Sequence, residues 1–323
     1  MNILVTGGAG YIGSHTVRLL LGRGHNVIVF DNLSRGHIES VPQNVRFEKV
    51  DMLDSGGLKA AMAKYEIDAA IHFAAFAYVG ESVENPGLYY TNNVTGSINL
   101  INALKENNVG RIVFSSTCSL YGNPENVPVS ETESLKPINP YAKTKFMIEH
   151  VLSDFKTSFG LKYVALRYFN AAGADFSGEI GESHQPEPHL IPIVLQTALG
   201  QREKVMVFGD DYPTADGTCI RDYIHVNDLA GAHLLALEYL DENDSAVINL
   251  GTGTGYSVKE IIGKAREITG CEIKVEIAER RAGDPASLIA DNKLARSLLG
   301  WIPKYGLTEV IASAYKWHLN PNY

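Results

Sequence analysis

With 323 residues, 45% of them hydrophobic and 20% charged, the chain is too apolar to be disordered and too long for one ordinary small core, so it suits one large or two modest domains. Its 28 Lys and Arg stand against 37 Asp and Glu, a formal net charge of -9. That balance argues against nucleic acid or an anionic membrane as the main partner, but leaves room for a phosphorylated small molecule held by local arginines. No targeting segment is visible: the sequence opens on the apolar run Ile3-Leu4-Val5, and its most apolar window, 67–79, is broken by Asp68 and His72. Cys118, Cys219 and Cys271 are far apart with no C-x-x-C, and read as reduced thiols of a cytoplasmic protein rather than a disulfide frame or a zinc site.

In chain order, short apolar runs predict strands at 2–5, 26–30, 45–50, 69–73, 111–114 and 163–168, separated by helical patterns at 12–23, 57–64, 88–106 and 141–159. Strands with little polar alternation, joined by helices, imply a parallel sheet covered on both faces: a Rossmann-type, doubly wound α/β fold. Beyond residue 170 the pattern turns irregular. The stretch 175–189, rich in Gly, Pro, Glu and His, reads as a loop long enough to be functional. A helix at 190–199 around Pro192, a strand at 205–208, a turn-rich stretch 210–218 and helices at 226–239 and 258–269 follow. The division expected is a Rossmann domain over 1–170 and a smaller mixed α/β substrate domain over 171–323, from which the chain is free to cross back.

The strongest local signal is Thr6-Gly7-Gly8-Ala9-Gly10-Tyr11-Ile12-Gly13, which follows a strand and opens a helix. Gly7 suits the tight turn, Gly10 lets the backbone approach a pyrophosphate, and Gly13 lets helix pack on strand, while the helix N-terminus offers free N–H groups to phosphate. Asp31 lies 18 residues beyond Gly13 at the end of the second strand. An acid there accepts hydrogen bonds from the adenosine ribose and repels a 2′-phosphate, which selects NAD over NADP; Arg35 nearby weighs less. Asp51, after the third strand, is as readily a loop cap as an adenine contact.

Tyr141 and Lys145, in Pro140-Tyr141-Ala142-Lys143-Thr144-Lys145, share one face of a helix capped by Asn139. A phenol with pKa of about 10 becomes a base near neutral pH only with roughly 4 kcal/mol of differential stabilisation, which two cations (Lys145 and an oxidised nicotinamide) would supply. Tyr-x-x-x-Lys is common by chance. It gains weight from following Ser115-Ser116-Thr117, a hydroxyl cluster at the carboxyl end of a strand, where ligands of such sheets bind; Thr117 ranks ahead of Ser116 as the assisting hydroxyl.

Together these residues resemble the extended short-chain dehydrogenase/reductase family, and within it the UDP-hexose 4-epimerases. The likeness spans nearly the whole chain: the glycine segment with Asp31-Asn32-Leu33, His72-Phe73-Ala74-Ala75, Tyr89-Tyr90-Thr91-Asn92-Asn93, Phe114-Ser115-Ser116-Thr117, Tyr121-Gly122, Tyr141 with Lys145, and Leu166-Arg167-Tyr168-Phe169-Asn170. The most specific parts run from Gly209 to Val226, with Arg280-Arg281-Ala282-Gly283-Asp284. The resemblance implies NAD as cofactor and interconversion of UDP-galactose and UDP-glucose through a 4-keto sugar, with a UDP-N-acetylhexosamine or UDP-glucuronate enzyme as the alternative, the latter if a pocket cation meets a carboxylate. It makes Tyr141 the catalytic base, Thr117 its assisting hydroxyl, and Lys145 the residue that binds the nicotinamide ribose. Around the cofactor it implies Gly7, Gly10, Tyr11, Ile12, Gly13, Asp31, Asn32, Asp51, Met52, Phe73, Ala74, Asn92, Ser115 and Tyr168. Around the UDP-sugar it implies Thr117, Tyr141, Phe169, Asn170, His189, Leu190, Phe208, Arg221, Arg281, Asp284 and Leu288. Two arginines on a diphosphate make physical sense, since charge-assisted bidentate bonds suit phosphate oxygens.

The chain departs from the pattern at Ala75, often glycine, and near Ala77, often a lysine that would contact the cofactor phosphates. Leu288 stands where a large aromatic restricts the sugar to glucose and galactose, so some acceptance of N-acetylated sugars is implied. A related dehydratase would carry Asp-Glu directly after Thr117, where this chain has Cys118-Ser119 and so lacks the acid that eliminates water. A non-enzymatic NAD sensor would not need Tyr141, Lys145 and Thr117 in register. His184, Glu187 and His189 lie in a Pro-rich loop without helical spacing, and read as polar residues of a substrate loop rather than metal ligands. By resemblance, helices 88–106 and 141–159 form the two-fold interface of a homodimer.

Overall fold

The computed structural model describes residues 1–281 and 283–323; Ala282, quoted in the last motif above, lies outside the described residues. In chain order, β1 (Asn2–Thr6), α1 (Tyr11–Gly22), β2 (Asn26–Asp31), β3 (Arg46–Lys49), α2 (Ser55–Met62) and β4 (Ala69–His72) are followed by α3 (Val79–Glu84), α4 (Pro86–Tyr89), a π-helical turn at Tyr90–Thr95, and α5 (Gly96–Glu106). Next come β5 (Arg111–Ser115), α6 (Pro140–Phe159), β6 (Lys162–Tyr168), β7 (Asn170–Ala172), α7 (Leu190–Ala198), β8 (Val205–Phe208) and β9 (Ile220–His225). The chain continues through α8 (Val226–Glu242), β10 (Ala246–Leu250), β11 (Gly255–Ser257), α9 (Val258–Thr269), β12 (Val275–Ala278), β13 (Ser287–Leu288), α10 (Lys293–Leu299) and α11 (Leu307–Leu319).

Seven parallel strands form the main sheet in the order β10-β6-β5-β4-β1-β2-β3. Its strands are apolar on both faces because both are covered. Ile3, Val5, Val27, Val29, Ile71 and Val113 pack with residues of α1 and α8, while the alternate residues Leu4, Ile28, Ala70, Ile112 and Ala165 pack with those of α2, α5 and α6. This is the doubly wound fold expected. The seventh strand comes from far beyond residue 170: β10 pairs β6 in register, Ala246 with Val164 through Leu250 with Tyr168. The chain therefore crosses back after building β7 to β9.

The remaining strands form a four-stranded sheet of β7, β9, β11 and β13 and a β8–β12 pair, packed with α7, α9 and α11 around Val194, Val207, Tyr223, Ile261 and Val310. The predicted helix 88–106 is interrupted by the π-helical turn, a feature common at functional sites. There Asn93 is drawn fully into the interior, where its amide donates to the Phe76 carbonyl (3.0 Å) and Thr144 Oγ1 (3.1 Å) and accepts from Phe76 N (2.8 Å). Asn93 thereby ties the loop after β4 to α6. Among the described residues no helix is long and apolar enough to cross a membrane.

Candidate active site

The carboxyl ends of β1, β2, β4, β5 and β6 open on one side of the sheet, into a cavity of about 1110 Å³ roofed by the segments that carry β8, β9 and β13. Every residue named from the sequence for cofactor or substrate lines this cavity. The glycine turn forms one end. Gly7 has φ +71°, and a Cβ there would lie 2.5 Å from Ala74 N; a Cβ on Gly13 would lie 2.2 Å from the Gly7 carbonyl. Gly10 caps α1 without any side-chain hydrogen bond, so the first-turn N–H groups are left for an anion.

Asp31 is buried at the end of β2, accepting from Ala9 N (3.0 Å) and Leu33 N (2.8 Å), while burial pushes its carboxyl up from its ordinary pKa. Asn32 donates to Asp51 (3.1 Å), which also accepts from Leu53 N (2.8 Å). Asp51 thus has the geometry of a loop cap while standing on the cleft wall beside Met52. Arg35 is spoken for: it pairs with Glu81 at 2.6 Å and stacks over Phe76 and Tyr78, 5.2 and 4.8 Å from the ring centroids. Its charge is directed away from recognition of a 2′-phosphate. These features fit a dinucleotide whose ribose meets an acid and whose pyrophosphate meets a bare turn.

At the middle of the cleft, α6 begins as expected. Asn139 accepts from Ala142 N (2.8 Å) and Pro140 takes the first helical position, which sets Tyr141 and Lys145 on one face. The Lys145 ammonium is buried and donates to the Ser115 carbonyl (2.8 Å); burial brings its pKa down to about 7. It lies 6.0 Å from the centroid of the Tyr141 ring. Burial also pushes Tyr141 well above its ordinary pKa, with Tyr168 adding to the rise and the hydrogen bond with Thr117 opposing it. The expectation that Lys145 lowers the tyrosine therefore needs correcting for the protein alone: the lysine is itself desolvated and spends a bond on the main chain. Further positive charge in the cleft is needed to make the phenolate.

The three hydroxyls after β5 have separate tasks. Ser115 pairs with the Tyr168 hydroxyl, and Thr117 accepts from Ser119 N (3.1 Å) and lies beside Tyr141. Ser116 turns inward and donates to Glu149 (2.6 Å). Glu149 also grips Arg167 through two bonds, 3.0 and 2.6 Å, with both side chains less than a tenth exposed. Sequence reading missed this anchor of α6 to β5 and β6; the charged Arg167 inside an apolar strand was its one signal. Glu149→Ala leaves the guanidinium buried and unpaired, and is expected to cost about 3–5 kcal/mol in a denaturant unfolding series. Removing both charges with Glu149→Leu and Arg167→Met is expected to recover most of that loss.

The opposite wall is built on β7, β9 and β13. Asn170 donates to the Asp222 carbonyl (3.0 Å). Arg221 pairs with Asp284 at 2.9 Å, and the Arg281 guanidinium sits 4.0 Å from the centroid of the Phe208 ring, so both cations are oriented before any ligand arrives. Leu288 is buried with Cys118, Tyr121, Val129 and Phe169. His189 caps α7 directly before Leu190, and its Nδ1 is bonded to Glu182, a cleft residue the sequence reading did not single out.

The sequence model of the NAD dependent epimerase/dehydratase family matches residues 3–251. The chain belongs to this family. Its likeness to individual members extends over the full length. The UDP-glucose 4-epimerase of Halalkalibacterium halodurans is 54% identical, the match covering 98% of this chain and 96% of the relative. The crystal structure of UDP-glucose 4-epimerase from Brucella ovis in complex with NAD superposes with a TM-score of 0.95 at 50% identity, covering 97% of each chain. That from Bifidobacterium longum in complex with NAD+ and UDP gives 0.95 at 38% identity, covering 100% of this chain and 99% of that one. Within a family that includes dehydratases, the residues after Thr117 decide which chemistry this member supports. Cys118 is buried, with its thiol pushed up to about 12, and Ser119 carries no acid, so no group there protonates a departing hydroxyl.

Proposed function

We propose that the chain epimerises C4 of a UDP-hexose, interconverting UDP-galactose and UDP-glucose. The observation that carries this reading is one cleft in which Tyr141 and Thr117 stand between a glycine turn fitted to a dinucleotide and two pre-oriented arginines fitted to a diphosphate. NAD held by Gly7 to Gly13, Asp31, Ser115 and Lys145 supplies the hydride acceptor and donor. Tyr141 Oη takes the proton from the sugar O4, with Thr117 completing the hydrogen-bond chain, and gives it back at the end. Arg221 and Arg281 hold the diphosphate, with Phe208 and Leu190 beside the nucleotide. The non-reacting part of the substrate is then fixed while the 4-keto sugar turns over. Asn170, Phe169, His189, Asp284 and Leu288 shape the sugar and nucleotide walls. Proton NMR of the protein with UDP-galactose and NAD is expected to show UDP-glucose accumulating to equilibrium; unchanged UDP-galactose would refute the assignment.

The same reading makes a statement about pH. Burial favours the neutral phenol of Tyr141, so the cofactor-free protein is expected to show no tyrosinate absorption near pH 7. A bound positive ring lowers the tyrosine's pKa, so titrating in oxidised NAD should move its ionisation to lower pH and raise the tyrosinate signal of one residue. The same titration of Tyr141→Phe should leave the spectrum flat in that band.

We further propose that the active form is a homodimer. Val79, Val83, Leu88 and Met147 are large apolar residues left exposed on α3, α4 and α6, elements that pack together on one side of the main sheet. Sedimentation equilibrium is expected to return twice the chain mass, and a single chain mass at micromolar concentration would rule the dimer out. The two-part division at residue 170 is kept as a functional one, cofactor largely before it and nucleotide sugar largely after it.

A further inference from the structure

The loop between β7 and α7 brings four potential ligands to one point. Glu182, His184, Glu187 and His189 each offer one donor atom, and all four atoms lie within 4.8 Å of one another. Glu182 and Glu187 are 3% and 7% exposed, so two carboxylates are held side by side out of water. Both histidines turn Nδ1 toward them. His184 Nδ1 is 3.1 Å from Glu182 and 3.7 Å from Glu187, and His189 Nδ1 is 3.4 Å from Glu187. In a tetrahedral zinc site with bonds of about 2.05 Å, neighbouring ligand atoms are about 3.3 Å apart. For an ion to enter, the direct hydrogen bond from His189 to Glu182 has to lengthen and the wider separations, up to 4.8 Å, have to close.

A second observation points the same way. His184 Nδ1 is buried and, among the described residues, makes no hydrogen bond of acceptable geometry, although two carboxylates lie within ion-pair distance of it. Donors that face a common centre, rather than one another, have this arrangement. The charges also match: two carboxylates and two neutral imidazoles balance one divalent cation, and this mixed N and O set suits zinc or a neighbouring transition ion better than calcium or magnesium. A second cavity, of about 340 Å³, reaches Glu182, His184 and Glu187 from the side of Gln196 and His318 and gives an entry path.

We propose that Glu182, His184, Glu187 and His189 form a closed, structural site for one zinc ion. Four protein donors leave no open coordination position, so the ion holds the loop and does no chemistry on the substrate. What it holds matters for the cleft. His189 directly precedes Leu190, the His184 ring lies edge-on to Tyr11 and Tyr78, and the Glu182 carbonyl accepts from the Trp317 indole at 2.9 Å. The ion would pin one loop to the glycine turn, to α7 and to the C-terminal helix at once. The absence of helical spacing, which argues against a metal in the bare sequence, is overcome by the fold of the loop.

The test uses the full chain, stripped with a chelator and titrated with zinc chloride alone. One ion per chain is expected, with Kd below about 1 µM. Cobalt(II) in its place should give the strong visible bands of four-coordinate cobalt. Zinc should raise the melting temperature of the wild-type chain and leave His184→Gln and Glu187→Gln unchanged, with affinity in each variant at least about a hundredfold weaker. Equal zinc affinity in wild type and variants, or no stoichiometric uptake by wild type, would overturn the site. The wild-type titration decides the matter even if a variant fails to fold. None of these readouts depends on the proposed reaction.

Discussion

Tyr141→Phe is expected to lower kcat for UDP-galactose by roughly 10²–10⁴-fold, the range in which loss of a positioned proton-transfer group falls. The substitution removes one oxygen and keeps the buried ring, so the fold should survive. It also leaves the glycine turn, Asp31 and both arginines untouched. Binding of NAD and of UDP, measured by calorimetry, should therefore change by less than about threefold, and the loss should appear in kcat rather than KM. Thr117→Val removes the hydroxyl beside Tyr141, which also accepts from Ser119 N, and should cost less than Tyr141→Phe. If Tyr141→Phe kept kcat within tenfold of wild type, the O4 proton would have to leave by another route, and the role given to α6 would fall.

Gly13→Ala is expected to weaken NAD binding by more than about a hundredfold, close to 2.8 kcal/mol. The added methyl would sit 2.2 Å from the Gly7 carbonyl, and that atom is main chain and cannot swing aside as a flexible side chain does. Either α1 shifts away from the turn or the turn opens, and both move the first-turn N–H groups from the position a pyrophosphate requires. Gly22→Ala is the matched control. It lies in the last turn of the same helix, where a Cβ meets nothing within 4 Å, so it should leave NAD affinity alone and raise stability by up to about 1 kcal/mol through helix propensity. Comparing the two separates steric loss of the cofactor site from a general effect of altering α1. Equal NAD affinity in Gly13→Ala and wild type would mean that the turn is not where the pyrophosphate sits.

The part of this protein written in local periodicity was legible from the sequence. β1, α1 and β2 were placed within a residue or two because an apolar run, a glycine turn and an amphipathic helix each follow a short-range rule. α6 was legible through Asn139 and Pro140. What depended on distant pairing was not. β10 is five residues long, Ala246–Leu250, and only its partner β6, some eighty residues earlier, makes it a strand of the main sheet. The π-helical turn at Tyr90–Thr95 was hidden because the helical pattern runs straight through it; it is the Asn93 amide, bonded to Phe76 and Thr144, that occupies the interior there. The state of Tyr141 was partly misread for a related reason. Sequence spacing puts Lys145 on the same face, but not the Ser115 carbonyl that takes its proton donor, nor the burial that raises the phenol. Sequence reading weighs His184, Glu187 and His189 as ligands and sets them aside, and does not single out Glu182, because the four converge only through the path of an irregular loop.

The most direct test of the central claim follows the hydrogen at C4. UDP-galactose carrying deuterium at C4 is incubated with the protein and NAD in ordinary water, and the product is read by NMR and mass spectrometry. Epimerisation by hydride removal and return predicts UDP-glucose that keeps its deuterium at C4, with none lost to solvent, because only the O4 proton passes through Tyr141. Product with solvent hydrogen at C4 would mean that a C–H proton is exchanged instead, and would contradict the mechanism assigned to this cleft.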